Sequence, residues 1–333
     1  MPASRPVTVV VDAAGGDLAP RAILGGVDAA LAAQPTIRVI VTGPAEVVEP
    51  FAASRERVEA VATTEIIEMG EHPAAAVRSK KDSSIVVGAR LVKEGRADAF
   101  FSAGSTGAAM AAATLVMGRI KGVSRPAIAT VIPTAGPPCV MLDVGANADC
   151  KPENLLQFAE MGAAYASVVL GVEEPRVGLL NIGEEPAKGS ILAQESYKLL
   201  AGSQPGFIGN IEGRDVPAGK ADVVVTDGFT GNVALKLLEG TSQTLFSQLK
   251  IAMTATLPGR LAAAVLRPAL MRLKDRLDPE TYGGAPLLGV AGICIIGHGS
   301  SEATAVASAI RVAVRAVEGD LTGRIASAVG TEN

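Results

Sequence analysis

The chain alternates short, strongly apolar runs with longer stretches in which apolar residues recur at helical spacing. Runs with so little polar alternation are typical of strands buried on both faces of a parallel sheet. A glycine-containing turn follows each run and leads into a helix-like stretch, which is the pattern of βαβ units. The six runs are TVVVD (8–12), ADAFF (97–101), CVMLD (139–143), VGLLN (177–181), ADVVV (221–225) and ICIIG (293–297).

This order predicts an α/β protein, a Rossmann-like, doubly wound α/β/α sandwich with a mostly parallel sheet. Pro20 and Pro152 lie where a first helical turn tolerates proline. Glycine after a helical stretch predicts helix ends near Gly202, Gly240 and Gly319. Because no low-complexity linker interrupts residues 1–333, we expect one domain with an internal cleft. A division near the middle is the alternative.

Two of the units end in nearly the same turn. Residues 97–107 read ADAFFSAGSTG and residues 221–231 read ADVVVTDGFTG. In an open parallel sheet the loops that follow the strands gather along one edge, where ligands bind. We therefore expect both turns at the same edge of the sheet, as two walls of one pocket.

The loops after the strands carry polar side chains and glycines that suit an anion. Each loop also delivers a helix N-terminus with free N–H groups, and glycine lets the backbone approach a ligand closely. A single such turn is an ordinary connector, so the prediction depends on several loops converging. The candidates are Asp12, Gly15, Gly16, Asp17, Ser102, Thr106, Asp143, Asn147, Asn181, Glu184, Lys188, Asp227, Thr230, Asn232 and His298.

Two candidates carry distinct chemistry. Lys188 is predicted in a first helical turn, where a cation opposes the helix dipole, and this placement favours a bound anion over an ion pair with Glu184 or Glu185. His298 follows a strand directly and precedes Ser300. It either donates to phosphate or an oxyanion, or makes a structural hydrogen bond, and both interpretations stay open.

Composition excludes several functional classes. A net charge of −4 and the absence of tryptophan argue against nucleic-acid binding. Three cysteines without CxxC spacing argue against a zinc site or a disulfide framework, and fit a reducing, cytoplasmic compartment. The chain also lacks P-loop, GxSxG and HExxH motifs and a GxGxxG after the first strand, so we expect no cofactor and no metal. No transmembrane helix is predicted.

Residues 245–277 differ from the rest of the chain in charge. They hold six basic residues against one acid, and Pro258-Gly259 predicts a turn between two helices with Leu257 and Leu261 at an apolar tip. Such a hairpin suits an anionic membrane surface or an acidic partner, and a dimerisation arm is the alternative. The basic residues are Lys250, Arg260, Arg267, Arg272, Lys274 and Arg276.

Taken in order, several stretches resemble the PlsX-type phosphate acyltransferases, and they span almost the whole chain. Ser105 is a departure, since such proteins commonly carry Asn there. The stretches are VDAAGGDLAP, SAGSTGAAMA, LDVGANADCKPENLLQFAEMG, LLNIGEEPAKGS, IEGRD, TDGFTGNVALK and GGAPLLGVAGICIIGHGSS.

The resemblance implies a fold akin to phosphotransacetylases and isocitrate-type dehydrogenases. It also implies a homodimer that is cytoplasmic and peripherally membrane-associated through the hairpin, and that transfers a fatty acyl group from acyl carrier protein to inorganic phosphate, for phospholipid synthesis. Two alternatives remain. A phosphotransacylase acting on acyl-CoA has no need for the basic hairpin, and a non-catalytic anion-binding module would share only the architecture.

On this reading, Lys188 and Asn232 stabilise the oxyanion, and His298 protonates the departing thiolate. Ser102, Thr106, Gly107, Thr230 and Gly231 cradle phosphate. Asp12, Gly15, Gly16, Asn147, Asn181 and Ser300 complete the expected binding site.

Overall fold

The computed structural model describes residues 5–277 and 279–330, and these form eleven strands in one sheet. The strands are β1 (Thr8–Asp12), β2 (Arg38–Gly43), β3 (Val58–Ala62), β4 (Ala99–Ser102), β5 (Ala127–Ile132), β6 (Cys139–Leu142), β7 (Val177–Asn181), β8 (Phe207–Glu212), β9 (Val223–Val225), β10 (Ala285–Leu288) and β11 (Ile293–Ile296). The helices are α1 (Arg21–Ala33), α2 (Ala45–Ala53), α3 (Pro73–Ser79), α4 (Ser84–Lys93), α5 (Thr106–Ala112), α6 (Pro152–Tyr165), α7 (Ile191–Ser203), α8 (Asp215–Ala218), α9 (Gly228–Thr254), α10 (Leu257–Leu277), α11 (Ala303–Glu318) and α12 (Leu321–Val329).

The sheet consists of two parallel halves that run in opposite directions. Its order is β3-β2-β1-β4-β11-β10-β5-β6-β9-β7-β8. The first five strands of that order pair in parallel, as do the last four. Between them β10 pairs antiparallel to both β11 and β5, and β5 pairs antiparallel to β6. Three reversals separate β11 from β6, so the carboxyl ends of the two halves lie at opposite edges.

Apolar side chains alternate between the two faces of the sheet and bury both, as the sequence predicts. Val9, Val10 and Val11 are each fully buried. Val9 and Val11 face one core layer, whose helices include α1, α6 and α11, whereas Val10 faces the layer that includes α4 and α5. The α/β/α sandwich and the mostly parallel sheet are confirmed. The division into domains stays a prediction.

The helical hairpin is longer than expected and turns earlier. Its first helix, α9, starts at Gly228 directly after β9 and runs through Gly240, where we expected a helix to end. The chain reverses at residues 255–256, and Pro258-Gly259 lies inside the first turn of α10. Proline is tolerated there because the first N–H groups of a helix have no intrahelical acceptor. Within the described residues, no helix is both long and apolar enough to cross a membrane.

Close packing of α1 on α11 depends on one glycine. A methyl group at Gly26 would lie 2.7 Å from Cγ1 of Val306 and 2.8 Å from the carbonyl oxygen of Ala303. At the neighbouring Gly25 the nearest atom would be 3.5 Å away, which is an ordinary van der Waals contact. The α1–α11 contact therefore leaves no room for a side chain at Gly26, whereas it tolerates a methyl group at Gly25.

We expect Gly26→Ala to lower the free energy of unfolding by about 1–3 kcal/mol, because the added methyl group overpacks the α1–α11 contact. Gly25→Ala is the matched control, and it should raise the free energy of unfolding by up to about 1 kcal/mol through its higher helix propensity. Urea denaturation of both variants measures the difference. Equal effects of the two substitutions would contradict this account of the packing.

Candidate functional site

The loops after β1, β4 and β11 meet at one edge of the sheet. The N–H of Asp17 donates to the carbonyl oxygen of Gly299 (2.7 Å), and the N–H of Gly297 donates to that of Ser102 (2.8 Å). We call the predicted site residues in these loops the first-edge group. They are Asp12, Gly15, Gly16, Ser102, Thr106, Gly107, His298 and Ser300.

A buried pair of side chains organises this edge. Asp12 and Ser102 are fully buried, and the Ser102 hydroxyl donates to Oδ2 of Asp12 at 2.7 Å. Burial raises the pKa of Asp12, while the hydrogen bond from Ser102 opposes that shift. A methyl group at Gly15 would lie 2.5 Å from Oδ2 of Asp12, so the loop closes over the carboxyl group. In this arrangement Asp12 and Ser102 shape the loop, because their polar atoms are used inside it.

The turn after β4 leaves donors free for a ligand. Ser105 caps α5 by accepting the N–H of Ala108 (3.4 Å), so serine serves here in place of the asparagine common in similar proteins. The N–H groups of Thr106 and Gly107, the first two residues of α5, have no intrahelical acceptor. A methyl group at Gly107 would lie 2.5 Å from Cγ of Pro73. Packing against α3 thus accounts for this glycine, and its N–H still faces the helix N-terminus.

His298 is exposed, and its local hydrogen bonds decide which nitrogen of the neutral ring carries the proton. The N–H of Ser300 donates to Nδ1 at 3.3 Å, and the Ser300 hydroxyl lies 2.8 Å from the same nitrogen. Because Nδ1 accepts, the proton of the neutral ring lies on Nε2. The ring therefore presents an N–H donor at this edge.

The loops after β6, β7 and β9 lie at the other edge of the sheet, since these strands pair in parallel. The N–H of Gly228 donates to the carbonyl oxygen of Asn147 (2.8 Å), which joins the loop after β6 to the start of α9. We call the predicted site residues in these loops the second-edge group. They are Asn147, Asn181, Lys188, Thr230, Gly231 and Asn232.

Asp143 is the centre of the second edge, although the roles predicted from the sequence did not include it. It is fully buried, and burial raises its pKa against the opposing hydrogen bonds. A buried carboxyl group that accepts so many N–H groups fixes the loop from 143 to 147. Its donors are the backbone N–H groups of Ile128, Gly145, Ala146 and Asn147, and the side-chain amide of Asn147. The signal in the sequence was an Asp directly after a buried strand.

The turn after β9 is closed by its own cap. The N–H and the hydroxyl of Thr230 both donate to the carboxylate of Asp227, at 2.9 and 2.8 Å. The N–H of Gly231 donates to the carbonyl oxygen of Asp227. These donors are therefore used inside the turn. The exposed amide of Asn232 lies beside Gly145.

Lys188 is exposed but does not lie in a helix. α7 begins at Ile191 with Ser190 as its cap, so the prediction of a first helical turn is wrong by three residues. Glu184, one of the two carboxylates considered as alternative ion-pair partners, binds Lys220 instead. Among the described residues, no carboxylate lies within ion-pair distance of Lys188. Asn181 supports this loop, since its amide donates to the carbonyl oxygen of Lys188 at 3.1 Å.

The two similar turns do not share an edge, and this expectation from the sequence is wrong. β4 and β9 run in opposite directions, because β10 and β5 intervene with antiparallel pairing. The first-edge group and the second-edge group therefore lie at opposite edges of the sheet. Hydrogen bonds bring the first-edge loops together as expected, and at the second edge they join the loop after β6 to the start of α9. The loop after β7 lies at the same edge because β7 pairs parallel to β9.

None of the cysteines is poised as a nucleophile. Burial raises the pKa of the Cys150 thiol to about 11, and those of Cys139 and Cys294 to about 12. These thiols stay protonated near neutral pH, whereas a nucleophilic cysteine needs a thiolate.

The predicted contact residues of the hairpin lie on its surface. The exposed ones are Lys250, Leu257, Arg260, Leu261, Arg267 and Arg272. The side chain of Lys274 lies outside the described part of the chain.

Known proteins match the chain over almost its full length. The model of the family described as "Fatty acid synthesis protein" matches residues 7–324. The phosphate acyltransferase of Desulfitobacterium hafniense (strain DSM 10664 / DCB-2) is 53% identical over 314 residues, covering 93% of this chain and 94% of the relative. That of Geobacillus sp. (strain WCH70) is 48% identical over 322 residues, covering 96% and 98%. The chain belongs to this family of acyltransferases.

Solved structures with the same architecture are more distant in sequence. A phosphotransacetylase from Streptococcus pyogenes has a TM-score of 0.62 at 17% identity, covering 94% of each chain. A branched-chain phosphotransacylase from Enterococcus faecalis V583 has a TM-score of 0.59 at 18% identity, covering 93% of this chain and 99% of that one. At such identities the likeness shows the fold alone, and it agrees with the predicted phosphotransacetylase-like fold.

We expect Gly231→Ala to disrupt the second edge. The added methyl group would overlap the carbonyl oxygen of Asp143 and lie 2.9 Å from Cγ2 of Thr226, so α9 and the loop from 143 must move apart. A loss of at least ~1 kcal/mol in unfolding free energy should accompany the loss of activity. Gly240→Ala is the matched control, because no atom lies within 4 Å of an added methyl group at that position of α9. Thermal unfolding and turnover of both variants test the difference.

Proposed function

We propose that the protein transfers a fatty acyl group from acyl carrier protein to inorganic phosphate, which yields acyl phosphate and the free carrier thiol. The observation that carries the proposal is the similarity to phosphate acyltransferases, at 46–53% identity along most of the chain. The free helix N-terminus of α5 and the unpaired Lys188 support it, since both suit phosphate or a developing negative charge. We further propose that the protein acts as a homodimer at a membrane surface.

The reaction needs no covalent enzyme intermediate. Phosphate has a pKa near neutrality, so its dianion is available to attack the thioester carbonyl without a strong base on the protein. Phosphate binds at the N–H groups of Thr106 and Gly107, where the helix dipole favours an anion. Its oxygen forms the new bond to the acyl carbon, and the carbonyl oxygen becomes an oxyanion. Collapse of this tetrahedral species breaks the C–S bond and releases the thiolate.

The polar side chains divide the remaining tasks. Lys188 and the Asn232 amide stabilise the oxyanion, which exists only as the reaction proceeds. The Nε2–H of His298 donates a hydrogen bond to the departing thiolate, since Nδ1 accepts the N–H of Ser300, and the thiolate then takes its proton from solvent water. Asp143 acts through the loop that carries Asn147 and against which α9 packs, so it is a positioning residue.

The hairpin supports acyl carrier protein over coenzyme A as the acyl donor. Exposed basic residues line both helices, and Leu257 and Leu261 at the tip are 72% and 66% exposed. Acyl carrier protein is acidic, so the basic residues favour its approach. Exposed leucines beside basic residues also suit an anionic bilayer surface. A coenzyme A ester requires neither feature.

Purified protein mixed with palmitoyl-acyl carrier protein and phosphate should form acyl phosphate and free carrier thiol. Lys188→Ala should lower kcat by about 10²–10³-fold, because an oxyanion-stabilising group is lost. Lys93→Ala removes an exposed lysine on α4 and serves as the matched control. Turnover of acyl-CoA alone would favour a phosphotransacylase, and the absence of any turnover would favour an anion-binding module. A folded, fully active Lys188→Ala variant would overturn the role of Lys188.

Flotation with phosphatidylglycerol vesicles tests the hairpin. The double variant Leu257→Glu and Leu261→Glu should bind at least about tenfold less protein to vesicles, since two apolar anchors become repelled acids. Thr241→Glu with Gln243→Glu adds the same charge at exposed positions of α9 away from the tip, and should bind more nearly like the wild type. Unchanged flotation of the tip variant would leave the hairpin as a dimerisation arm.

A further inference from the structure

We propose that the turn between residues 119 and 125, together with Lys151, is the surface on which the acidic acyl carrier protein docks. The inference rests on the proposed function, since it says where the acyl donor of that reaction binds. Its basis is a group of four exposed cations beside the second-edge group, which we call the cationic rim. Its members are Arg119, Lys121, Arg125 and Lys151.

The cationic rim lies at the second edge of the sheet because of strand direction. β5 begins at Ala127 and pairs antiparallel to β6, so the start of β5 lies beside the carboxyl end of β6. The side-chain amide of Asn147 donates to the carbonyl oxygen of Pro126 at 2.8 Å. Lys151 directly precedes α6, in the loop after β6. A partner on this rim is therefore adjacent to the loop that carries Asn147.

The charges of the rim are not neutralised by the chain itself. Among the described residues, no carboxylate lies within ion-pair distance of any of the four cations. The guanidinium of Arg119 donates to the carbonyl oxygen of Ser124. That of Arg125 donates to the carbonyl oxygen of Asp149 at 3.1 Å. Two exposed carboxylates, those of Asp149 and Glu153, belong to the neighbouring segment, so the rim keeps an excess of positive charge.

Hydrogen bonds to α6 hold the turn in place. The N–H and the hydroxyl of Ser124 both donate to Oε1 of Gln157, at 2.9 and 2.7 Å. The side-chain amide of Asn154 donates to the same hydroxyl at 2.8 Å. The amide of Gln157 donates in turn to the carbonyl oxygen of Gly122 at 3.0 Å. A surface that is already ordered loses less conformational entropy when a partner binds, so the turn is suited to recognition.

The apolar residues of the turn are buried, which favours a protein partner over a bilayer. Ile120 and Val123 belong to the core, so the turn presents charge without an apolar anchor. The hairpin tip differs, because Leu257 and Leu261 are exposed beside its basic residues. Binding to a bilayer surface depends on buried apolar area as well as on charge. Charge alone instead complements an acidic protein surface.

Docking on the rim brings the thioester to the second edge. Lys188 and Asn232, to which the proposed reaction assigns the oxyanion, follow β7 and β9, and β9 lies directly beside β6 in the sheet. The hairpin tip, in contrast, is separated from Asn232 by most of α9. The basic residues of the hairpin then attract the carrier from a distance, and the rim holds it beside these two side chains.

Charge reversal on the rim tests the docking surface. Lys121→Glu with Lys151→Glu should raise the KM for palmitoyl-acyl carrier protein at least about tenfold, because two attractions become repulsions. Its kcat should stay close to that of the wild type, since neither residue belongs to the two edge groups. Arg38→Glu with Lys198→Glu makes the same change at exposed positions of β2 and α7, and should leave the KM unchanged. Circular dichroism checks that both variants fold.

Acyl donors without the carrier separate docking from chemistry. The rim variant should turn over palmitoyl-pantetheine, which has no protein part, as well as the wild type does. An equal rise in the KM for palmitoyl-CoA would show that the cations bind phosphates of the donor, and would overturn the assignment to a protein. Reduced flotation of the rim variant with phosphatidylglycerol vesicles would overturn it too, because the cations would then serve a bilayer.

Binding of the carrier gives a readout that does not depend on catalysis. Fluorescently labelled acyl carrier protein should bind the wild type with an affinity that falls as salt is added, and should bind the rim variant at least about tenfold more weakly. If both results hold while the wild type forms no acyl phosphate, the proposed reaction fails and the docking surface stands. Equal binding to an active wild type and to the rim variant, or no binding to the wild type, would overturn the docking surface.

Discussion

The antiparallel pairing of β10 and β5 is the constraint on which the rest of the structure depends. These two short strands join the parallel halves of the sheet and reverse its direction between them. Backbone hydrogen bonds hold the reversal in the buried centre of the sheet, where an unpaired N–H or carbonyl group would be costly. The chain therefore carries two sets of helix N-termini, one at each edge of the sheet.

The two similar turns illustrate how local environment separates like sequences. Both place a short apolar strand before G-x-T-G and both open a helix. After β4 the cap is Ser105, which leaves the N–H groups of Thr106 and Gly107 available. After β9 the cap is Asp227, which engages both donors of Thr230. The turn after β4 therefore leaves backbone N–H groups free for an anion. In the turn after β9 the donors of Thr230 bond to Asp227, and the exposed amide of Asn232 lies two residues further along α9.

Most of the fold could be predicted from the sequence, because each βα unit combines an apolar run with a glycine turn. The six predicted strands and the α/β/α layers follow from that local pattern. The reversal could not, since AIATVI of β5 and APLL of β10 lack the turn and helix that identify a unit, and strand direction depends on pairing far along the chain. The position of Lys188 is a different case, because Ser190 is a local cap signal present in the sequence and it places the start of α7 three residues after Lys188. The residues that the resemblance singles out lie at two opposite edges, and their roles stay predictions.

The length of α9 has a consequence for substrate delivery. One uninterrupted helix of 27 residues connects Asn232 in its second turn to the hairpin reversal after Thr254. At 1.5 Å per residue, those two points lie about 33 Å apart along the helix axis. A carrier or bilayer held at the tip is thereby kept at a fixed distance from the chemistry. If an acyl donor docks at the tip, its thioester needs a flexible tether to reach Asn232.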